Sequence, residues 1–248
     1  MAPDPLFDFT GKVVLVTGGS RGLGKRMVMA FAERGADVII ASRKLENCEA
    51  VADEVRALGR CALAVGMHAG RWADCDSLVE AAYGEFGKVD VLVNNAGMSP
   101  ACPSHELSEA LFDSVLNLNF KGPFRLASQI GHRMAAGTGG AIINISSIAA
   151  IRAAPGVVPY SGAKAALNAM TVSLAREYAP TVRVNSIVAG AFLTDIAEAW
   201  APEQREVQPV ALGRPGRPEE IVTAALMLAS SASSYTTGVL LQVDGGCR

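Results

Sequence analysis

Short apolar runs of strand length alternate with stretches of helical periodicity from one end of the chain to the other. The first run, residues 12–17, is apolar almost throughout, which indicates a strand that is buried on both faces. Alternation of this kind predicts a doubly wound α/β fold, in which a parallel sheet carries helices on both faces. We expect about seven strands, and because no linker or repeat interrupts the 248 residues, we expect a single domain over residues 1–248.

The apolar pattern also predicts where these elements begin and end. The predicted strands are residues 12–17, 37–41, 61–65, 89–93, 141–145, 182–188 and 239–243. The predicted helices are residues 24–34, 44–58, 73–86, 108–134, 160–178 and 219–228, and the Gly122-Pro123 pair predicts a bend or break in the long helix. Residues 1–10 are expected to form a short tail, and residues 189–215 an irregular segment.

Composition argues against several kinds of partner. The formal net charge is −2 and the sequence has no basic tract, which argues against nucleic acid and against an anionic membrane surface. No apolar run approaches the roughly 20 residues of a membrane helix, and residues 1–10 resemble neither a signal peptide nor an anchor. The five cysteines are scattered without a CxxC pair, and the three histidines are far apart. We therefore expect a cytoplasmic protein with reduced thiols, some of them buried, and no metal site.

A glycine-rich turn follows the first predicted strand and opens the first predicted helix. Gly18, Gly22 and Gly24 permit a tight turn, a close approach of a ligand to the backbone, and close packing of the helix on the strand. The helix N-terminus offers free N–H groups and partial positive charge to a pyrophosphate. The alternative is a glycine-rich connection that binds nothing. The position between a buried strand and a helix favours a dinucleotide site.

Tyr160 and Lys164 lie four residues apart in the predicted helix 160–178, so they share one face of it. A free tyrosine has a pKa near ~10, and a fixed positive charge nearby favours the phenolate and lowers that pKa. We expect a hydroxyl tuned in this way to protonate a carbonyl oxygen, or to deprotonate an alcohol, in step with hydride transfer. By itself the spacing is a weak signal, because such pairs occur by chance in many helices.

These two motifs belong to an ordered set. The chain carries TGxxxGxG at residues 17–24, Asn94-Asn95-Ala96-Gly97 after the fourth predicted strand, and Ser147 thirteen positions before Tyr160 of the Tyr160-xxx-Lys164 pair. With these motifs, spread over the whole chain, the sequence resembles the short-chain dehydrogenase/reductase family. The resemblance implies a Rossmann-type fold, NAD or NADP as cofactor without a metal, and assembly as a tetramer or a dimer.

The resemblance also implies roles for individual residues. Tyr160 would exchange the proton, and Ser147 would hydrogen-bond the substrate carbonyl and polarise it. Lys164 would bind the nicotinamide ribose and lower the pKa of Tyr160, while Asn119 would hold a water beside Lys164. Asn117 is the alternative to Asn119, which is favoured because a glycine follows it three positions later. The implied cofactor-binding residues are Gly18, Ser20, Arg21, Gly22, Leu23, Gly24, Ser42, Arg43, Asn95, Ala96, Gly97, Tyr160, Lys164, Gly190, Phe192 and Thr194.

The segment after the sixth predicted strand departs from the family pattern at one position. Ala189 stands where the family usually has proline, which frees one φ angle and predicts a modestly looser loop. Residues 193–210 look like the flap that closes over substrate in this family. We expect a largely apolar substrate pocket, although apolar side chains are also ordinary packing residues. Its candidate residues are Met98, Ala153, Pro155, Val157, Phe192 and Trp200.

The end of the second predicted strand indicates the choice of cofactor. An NAD enzyme has an acidic residue at this point, about 20 residues past the glycine turn. Here Asp37 lies at the beginning of the strand and Glu46 lies a turn into the next helix. Arg43 follows the strand instead, and we expect Arg21 to approach the same point, so that both bind the 2′-phosphate of NADP(H). The alternative is that both arginines are solvated surface residues.

We therefore interpret the chain as an NADP(H)-dependent carbonyl reductase or alcohol dehydrogenase with a small-molecule substrate. We expect a homotetramer in which helices 108–134 and 160–178 pair through an alanine-rich face, unless those alanines face the chain's own sheet. One alternative function is reduction of a 3-oxoacyl thioester on a carrier protein, and another is NADP(H) binding without turnover. The alanines of the expected face are Ala163, Ala166 and Ala169, and the candidate carrier-docking residues are Lys121, Arg125 and Arg133.

Overall fold

The computed structural model describes residues 4–195, 197 and 200–247. Its strands form one parallel sheet of seven, in the order β3-β2-β1-β4-β5-β6-β7. The chain reverses its direction of travel across the sheet between β1 and β4, and ligands of doubly wound sheets bind beyond the carboxyl ends of the strands at such a point. The strands are β1 (Val13–Thr17), β2 (Asp37–Ser42), β3 (Ala62–Gly66), β4 (Val91–Asn94), β5 (Gly140–Ser147), β6 (Val182–Ala189) and β7 (Leu240–Val243).

Helices cover both faces of the sheet, as the alternation of elements predicts. In β1, Val14 and Val16 belong to the core on one face, whereas Val13 and Leu15 belong to the core on the other. This two-sided burial is why the first apolar run does not alternate with polar residues. The helices are α1 (Gly22–Ala32), α2 (Leu45–Ala57), α3 (Trp72–Phe86), α4 (Glu109–Leu116), α5 (Gly122–Ala136), α6 (Val158–Glu177), α7 (Pro202–Glu206) and α8 (Val222–Ala229).

The predicted long helix 108–134 is three elements in the structure. Helix α4 ends at Leu116, a π-helical segment occupies Asn117–Lys121, and α5 begins at Gly122. The break therefore precedes the Gly122-Pro123 pair, and Pro123 occupies the first turn of α5, where its missing N–H leaves no hydrogen bond unmade. Glycine is required at the junction because a Cβ atom on Gly122 would lie 1.6 Å from the Ala69 carbonyl oxygen.

Several other boundaries differ from the expected ones. Helix α1 begins at Gly22 rather than at residue 24, β6 extends through Ala189, and the expected irregular segment contains α7. The expected tail is partly built into the fold, since Phe9 is 3% exposed and its ring packs edge-on against Phe31 at 5.0 Å. Residues 1–3 of that tail lie outside the described part of the chain.

Among residues 4–195, 197 and 200–247, no helix is both long and apolar enough to cross a membrane. Within the same ranges, no three His, Cys, Asp or Glu side chains are grouped closely enough to hold a metal ion.

Candidate active site

The turn between β1 and α1 presents backbone N–H groups at the carboxyl edge of the sheet. Gly18 and Gly22 have φ angles of 64° and 52°, which other residues rarely adopt, and a Cβ atom on Gly24 would lie 2.1 Å from the Gly18 carbonyl oxygen. Arg21 is the N-cap residue of α1, but no side chain forms a capping hydrogen bond there. Leu23 packs its side chain on the core. An uncapped helix N-terminus at this edge fits the pyrophosphate of a dinucleotide.

Asn95 ties the glycine turn to the end of β4. Its Nδ2 atom donates to the carbonyl oxygens of Thr17 at 2.9 Å and Gly18 at 3.2 Å. In return, Thr17 Oγ1 accepts the backbone N–H groups of Asn95 at 3.0 Å and Ala96 at 3.1 Å. Thr17 is the threonine of the TGxxxGxG motif, but it was not among the predicted cofactor-binding residues. These four hydrogen bonds fix the turn relative to the neighbouring strand.

Asn119 lies in the π-helical segment Asn117–Lys121 and is fully buried. Its Nδ2 atom donates to the carbonyl oxygens of Val115 and Met98, each at 2.9 Å. Its Oδ1 atom accepts the Met98 N–H at 3.3 Å. The side chain thus joins the end of α4 to the loop that follows β4, as a buried polar group must do to offset its lost hydration.

Gly97 separates Asn119 from Lys164. A Cβ atom on Gly97 would lie 2.8 Å from Asn119 Oδ1 and 3.6 Å from Lys164 Nζ, so both groups border the Gly97 backbone. Asn119 is therefore an asparagine that lies beside Lys164, as the resemblance implied. A water held between the two side chains stays a prediction.

Ser147, Tyr160 and Lys164 come together where β5 ends and α6 begins. The hydroxyls of Ser147 and Tyr160 are hydrogen-bonded to each other, and Ser147 Oγ also accepts the Ala149 N–H at 3.2 Å. Lys164 Nζ lies 5.8 Å from the centroid of the Tyr160 ring and donates to the Ile145 carbonyl oxygen at 2.8 Å. The helical spacing of Tyr160 and Lys164 therefore does bring the two side chains to one place.

Burial shifts the pKa values of both ionisable groups. It raises the pKa of Tyr160, and the hydrogen bond with Ser147 offsets that rise only in part. It lowers the pKa of Lys164, which is 4% exposed, to about 8. The expected lowering of the Tyr160 pKa is not found here, because loss of hydration disfavours the phenolate more than its surroundings favour it. At neutral pH Tyr160 is a protonated hydroxyl and Lys164 is mostly charged.

The carboxyl end of β2 faces the glycine turn. Ser20 Oγ donates to Ser42 Oγ at 2.9 Å, and Arg43 follows as an exposed residue with no ion pair in the described part of the chain. Asp37 lies at the opposite end of the strand, where its carboxylate accepts from Arg60 at 3.0 Å. Hydroxyls and one guanidinium, rather than a carboxylate, thus occupy the end of β2.

Arg21 forms an ion pair on the β6 side of the glycine turn. Its Nη1 atom pairs with Asp195 Oδ2 at 3.0 Å, in the loop that follows β6. In the sheet, β6 and β2 lie on opposite sides of β1, so this ion pair is on the side of the turn away from β2, and a contact of Arg21 with a 2′-phosphate beside Arg43 stays a prediction. The loop after β6 lies close to the turn, since a Cβ atom on Gly22 would be 3.5 Å from Thr194.

The sheet holds the end of β6 on both sides. Ala189 pairs with Ser147 of β5 and with Val243 of β7, and the Gly190 N–H donates to the Val243 carbonyl oxygen at 3.0 Å. A Cβ atom on Gly190 would lie 2.6 Å from Asp244 Cα, so only glycine fits there. The strand continues through Ala189, and the looser loop beyond it stays a prediction.

Phe192 packs its ring into the core rather than into a substrate pocket. It is 7% exposed, and a Cβ atom on Gly216 would lie 2.7 Å from its ring, so the expectation for its side chain is wrong. Its backbone contact with a cofactor stays a prediction. Of the predicted flap, residues 196, 198 and 199 lie outside the described residues. The other candidate pocket residues are half-buried (Met98, Val157, Trp200) or exposed (Ala153, Pro155).

Comparison with known proteins agrees with this geometry. The family model for short chain dehydrogenases matches residues 12–205. The 3-oxoacyl-[acyl-carrier-protein] reductase FabG of Thermotoga maritima is 34% identical over 239 residues, which cover 95% of this chain and 97% of that protein.

Two solved structures share the fold over nearly their whole length. A 7α-hydroxysteroid dehydrogenase, complexed with NADH and 7-oxo glycochenodeoxycholic acid, has a TM-score of 0.94 and 32% identity, and the match covers 99% of this chain and 98% of that chain. A blue fluorescent protein from a metagenomic library, in complex with NADPH, has a TM-score of 0.91 and 35% identity, with coverages of 96% and 98%. The chain therefore belongs to the short-chain dehydrogenase/reductase family of oxidoreductases.

Proposed function

We propose that this oxidoreductase is an NADP(H)-dependent carbonyl reductase that interconverts a small ketone or aldehyde and its alcohol. The observation that carries the proposal is the hydrogen-bonded pair of Ser147 and Tyr160 hydroxyls, which lies beside Lys164 at the carboxyl edge of the sheet. The raised pKa of Tyr160 keeps its proton in place at neutral pH, as reduction requires.

Each polar side chain of the site has one task in this reaction. Ser147 donates a hydrogen bond to the substrate carbonyl oxygen, which polarises the carbonyl and holds it beside Tyr160. Tyr160 then gives its proton to that oxygen, and Lys164 supplies the nearby positive charge that favours the phenolate left behind. The nicotinamide, when bound, supplies the hydride. Asn119 keeps its proposed role of holding a water beside Lys164.

The preference for NADP(H) rests on the end of β2. A ribose 2′-hydroxyl is usually bound by a carboxylate at this point, whereas a 2′-phosphate is accommodated by an arginine. Asp37 is engaged by Arg60 at the other end of the strand, and Arg43 is exposed and unpaired among the described residues. One structural neighbour is complexed with NADPH and another with NADH, so the choice follows from these residues and not from the family.

A small substrate is favoured over a carrier-bound thioester. Two of the three basic residues considered for carrier docking are already paired, Arg125 with Asp76 at 2.5 Å and Arg133 with Glu80. Only Lys121 remains an exposed charge without an ion pair in the described ranges. The surface therefore lacks the dense positive charge that would attract an acidic carrier. Binding without turnover is disfavoured because such a protein needs none of the Ser147–Tyr160–Lys164 geometry.

We further propose a cytoplasmic homotetramer built from single-domain chains, with neither nucleic acid nor a membrane as partner. The cysteines support the reducing compartment, since all five are free and Cys48 and Cys75 are buried. The charge of −2 supports the absence of a polyanionic partner.

Steady-state kinetics with both cofactors tests the cofactor choice. We expect kcat/KM to be higher with NADPH than with NADH, on the order of tenfold for one charge-assisted contact. Arg43→Ala should remove that preference and leave the NADH value unchanged. Arg176→Ala, an exposed arginine in the last turn of α6, is the matched control. Equal efficiency with the two cofactors in the wild-type protein would reject the NADP(H) assignment.

A substrate panel tests the reaction. Ketones, aldehydes and 3-oxoacyl thioesters are followed by the decrease in NADPH absorbance. Turnover of small ketones or aldehydes is the expected result. Turnover confined to acyl thioesters would favour the carrier-dependent alternative, and cofactor binding without turnover of any compound would favour a binding protein.

A further inference from the structure

The ion pair between Arg21 and Asp195 joins the glycine turn to the loop that follows β6. The pair is 3.0 Å long, and the side chains are 65% and 46% exposed, so a solute can reach both of them. Asp195 directly follows Thr194, which packs against Gly22. The carboxylate therefore holds the Arg21 guanidinium on the β6 side of the turn.

We propose that Asp195 is a specificity-determining residue, an internal anion that competes with the 2′-phosphate of NADP(H) for Arg21. The inference rests on the proposed function, because it assumes that NADP(H) binds at this edge. Arg21 is the N-cap residue of α1, and its neighbour Ser20 forms a hydrogen bond with Ser42 of β2. The Arg21 side chain therefore starts between the end of β2 and the loop that follows β6. A guanidinium at this position has a carboxylate on one side and, with NADP(H) bound, a phosphate on the other.

The competition applies only to the phosphorylated cofactor. NAD(H) brings no second anion to the end of β2, so its binding leaves the Arg21–Asp195 pair intact. NADP(H) gains Arg21 only when this pair opens, and until then the exposed cations after β2 are Arg43 and the next residue, Lys44. Exposed ion pairs contribute little, so the competition should weaken NADP(H) binding by about two- to fivefold.

Titration calorimetry on Asp195→Asn tests the proposal without turnover. The expected result is a Kd for NADP⁺ that falls about two- to fivefold, with the Kd for NAD⁺ unchanged. The Kd for 2′,5′-ADP should fall by the same factor in Asp195→Asn while the Kd for 5′-AMP stays unchanged. This comparison isolates the contribution of the 2′-phosphate. Glu203→Gln is the control, since it removes one exposed carboxylate from the neighbouring helix α7. In the double variant Arg21→Gln/Asp195→Asn the gain should disappear.

Three outcomes would overturn the inference. Weaker binding of both cofactors to Asp195→Asn would show that the pair clamps the two loops together. Unchanged binding of both would show a solvated ion pair without influence. An equal gain in Glu203→Gln would show an effect of net charge alone. The wild-type preference between NADP⁺ and NAD⁺ tests the proposed function separately, because Asp195→Asn should shift that ratio towards NADP⁺ whichever cofactor the wild-type protein prefers.

Discussion

At the scale of single residues, the site places a neutral tyrosine beside a buried lysine. Tyr160 receives a hydrogen bond from Ser147, and Lys164 donates to the Ile145 carbonyl oxygen instead of to the phenol. The Tyr160 ring and Lys164 Nζ are 5.8 Å apart, close enough for electrostatic coupling in a buried setting. In the proposed reaction, the positive charge of Lys164 would stabilise the phenolate as soon as Tyr160 gave its proton to the substrate.

Replacing Tyr160 by phenylalanine should abolish the proton transfer and little else. We expect kcat of Tyr160→Phe to fall on the order of a hundredfold or more, because among the described residues no other hydroxyl is hydrogen-bonded to Ser147. The Kd for NADP⁺, measured by calorimetry, should stay within about twofold of the wild-type value. Tyr235→Phe, at a fully exposed position, is the matched control. If Tyr160→Phe kept most of its activity, the proton donor would have to be another group.

Lys164 should lower the stability of the protein at neutral pH. Its folded-state pKa of about 8 lies below the ordinary value of 10.5, so between these pH values the folded state binds fewer protons than the unfolded state. The free energy of unfolding therefore rises with pH across this window, and below pH 8 the full cost, on the order of 3 kcal/mol, is present. A hydrogen bond from a charged donor, such as the one from Lys164 to Ile145, contributes roughly 1.5–3 kcal/mol, which offsets part of this cost.

The variant Lys164→Met tests this cost. We expect it to be inactive yet to unfold at higher urea concentration than the wild-type protein at pH 7, with a difference that shrinks by pH 10. Urea midpoints at both pH values provide the measurement. A lower midpoint for Lys164→Met at pH 7 would mean that the hydrogen bond outweighs the desolvation of the ammonium.

Local geometry made part of the site predictable from the sequence. The glycine turn and the spacing of Tyr160 and Lys164 are consequences of backbone geometry a few residues long, and the structure places them as expected. The pairing of Arg21 with Asp195 was not predicted, because the two residues are 174 positions apart in the chain. The pKa of Tyr160 was predicted in the wrong direction because burial depends on the packing of the whole site.

At the scale of elements, Arg183 of β6 holds the C-terminal end of α8. Its guanidinium is half-buried and donates to the carbonyl oxygens of Leu228 at 2.8 Å and Ser230 at 3.0 Å, and to those of Ala229 and Thr236 at 3.3 Å. The last carbonyls of a helix have no partners within it, so a cation there satisfies them and complements the helix dipole. Strand β6 and helix α8 are thereby joined.

Removing this guanidinium should destabilise the fold without changing the chemistry. We expect Arg183→Met to lower the free energy of unfolding by roughly 3 kcal/mol, because several buried carbonyls lose a charged donor. Arg183→Lys should give an intermediate loss, since an ammonium cannot span the same carbonyls. Urea unfolding measures both, with Arg176→Met as the exposed control. An unchanged urea midpoint, or a folded variant with altered kcat, would contradict the structural role.

The π-helical segment shows why some elements escape prediction. Apolar periodicity predicted one helix over residues 108–134, because it does not distinguish the hydrogen-bond register of a π-turn from that of an α-helix. In the segment Asn117–Lys121, the Asn119 side chain donates a hydrogen bond to the Val115 carbonyl oxygen. Directly after the segment, Gly122 packs closely against the Ala69 carbonyl group. Such segments often occur at functional sites, and this one places the Asn119 side chain near Lys164.

At the scale of the whole molecule, the alternation of elements predicted the layers but not the order of the strands. Both faces of the sheet are covered, which follows from apolar runs without alternation. The position of the site between β1 and β4 depends on the direction of each crossover, which no single segment encodes. The sequence pattern likewise did not predict which helix faces remain outside the core.

The three alanines of the expected face of α6 differ in their exposure. Ala163 is fully buried within the chain, so for this residue the alternative, packing inside its own chain, is correct. Ala166 is half-buried and Ala169 is exposed. On the neighbouring helices, Phe112 of α4 and Phe124 of α5 are 45% and 39% exposed. Exposed aromatic rings on α4 and α5, together with an exposed small residue on α6, favour packing against another copy of the chain.

Light scattering tests the proposed tetramer. We expect a mass about four times the 25.7 kDa of one chain at micromolar concentration. Ala169→Glu should reduce the mass to that of a dimer, because a buried, unpaired carboxylate at one two-fold contact costs several kcal/mol while the second contact is untouched. Ala50→Glu, at an exposed position of α2, should leave the mass unchanged. A monomer mass for the wild-type protein would reject the assembly. A tetramer that tolerates Ala169→Glu would place its contacts on other surfaces, and the exposed face of α6 would then be ordinary solvated helix.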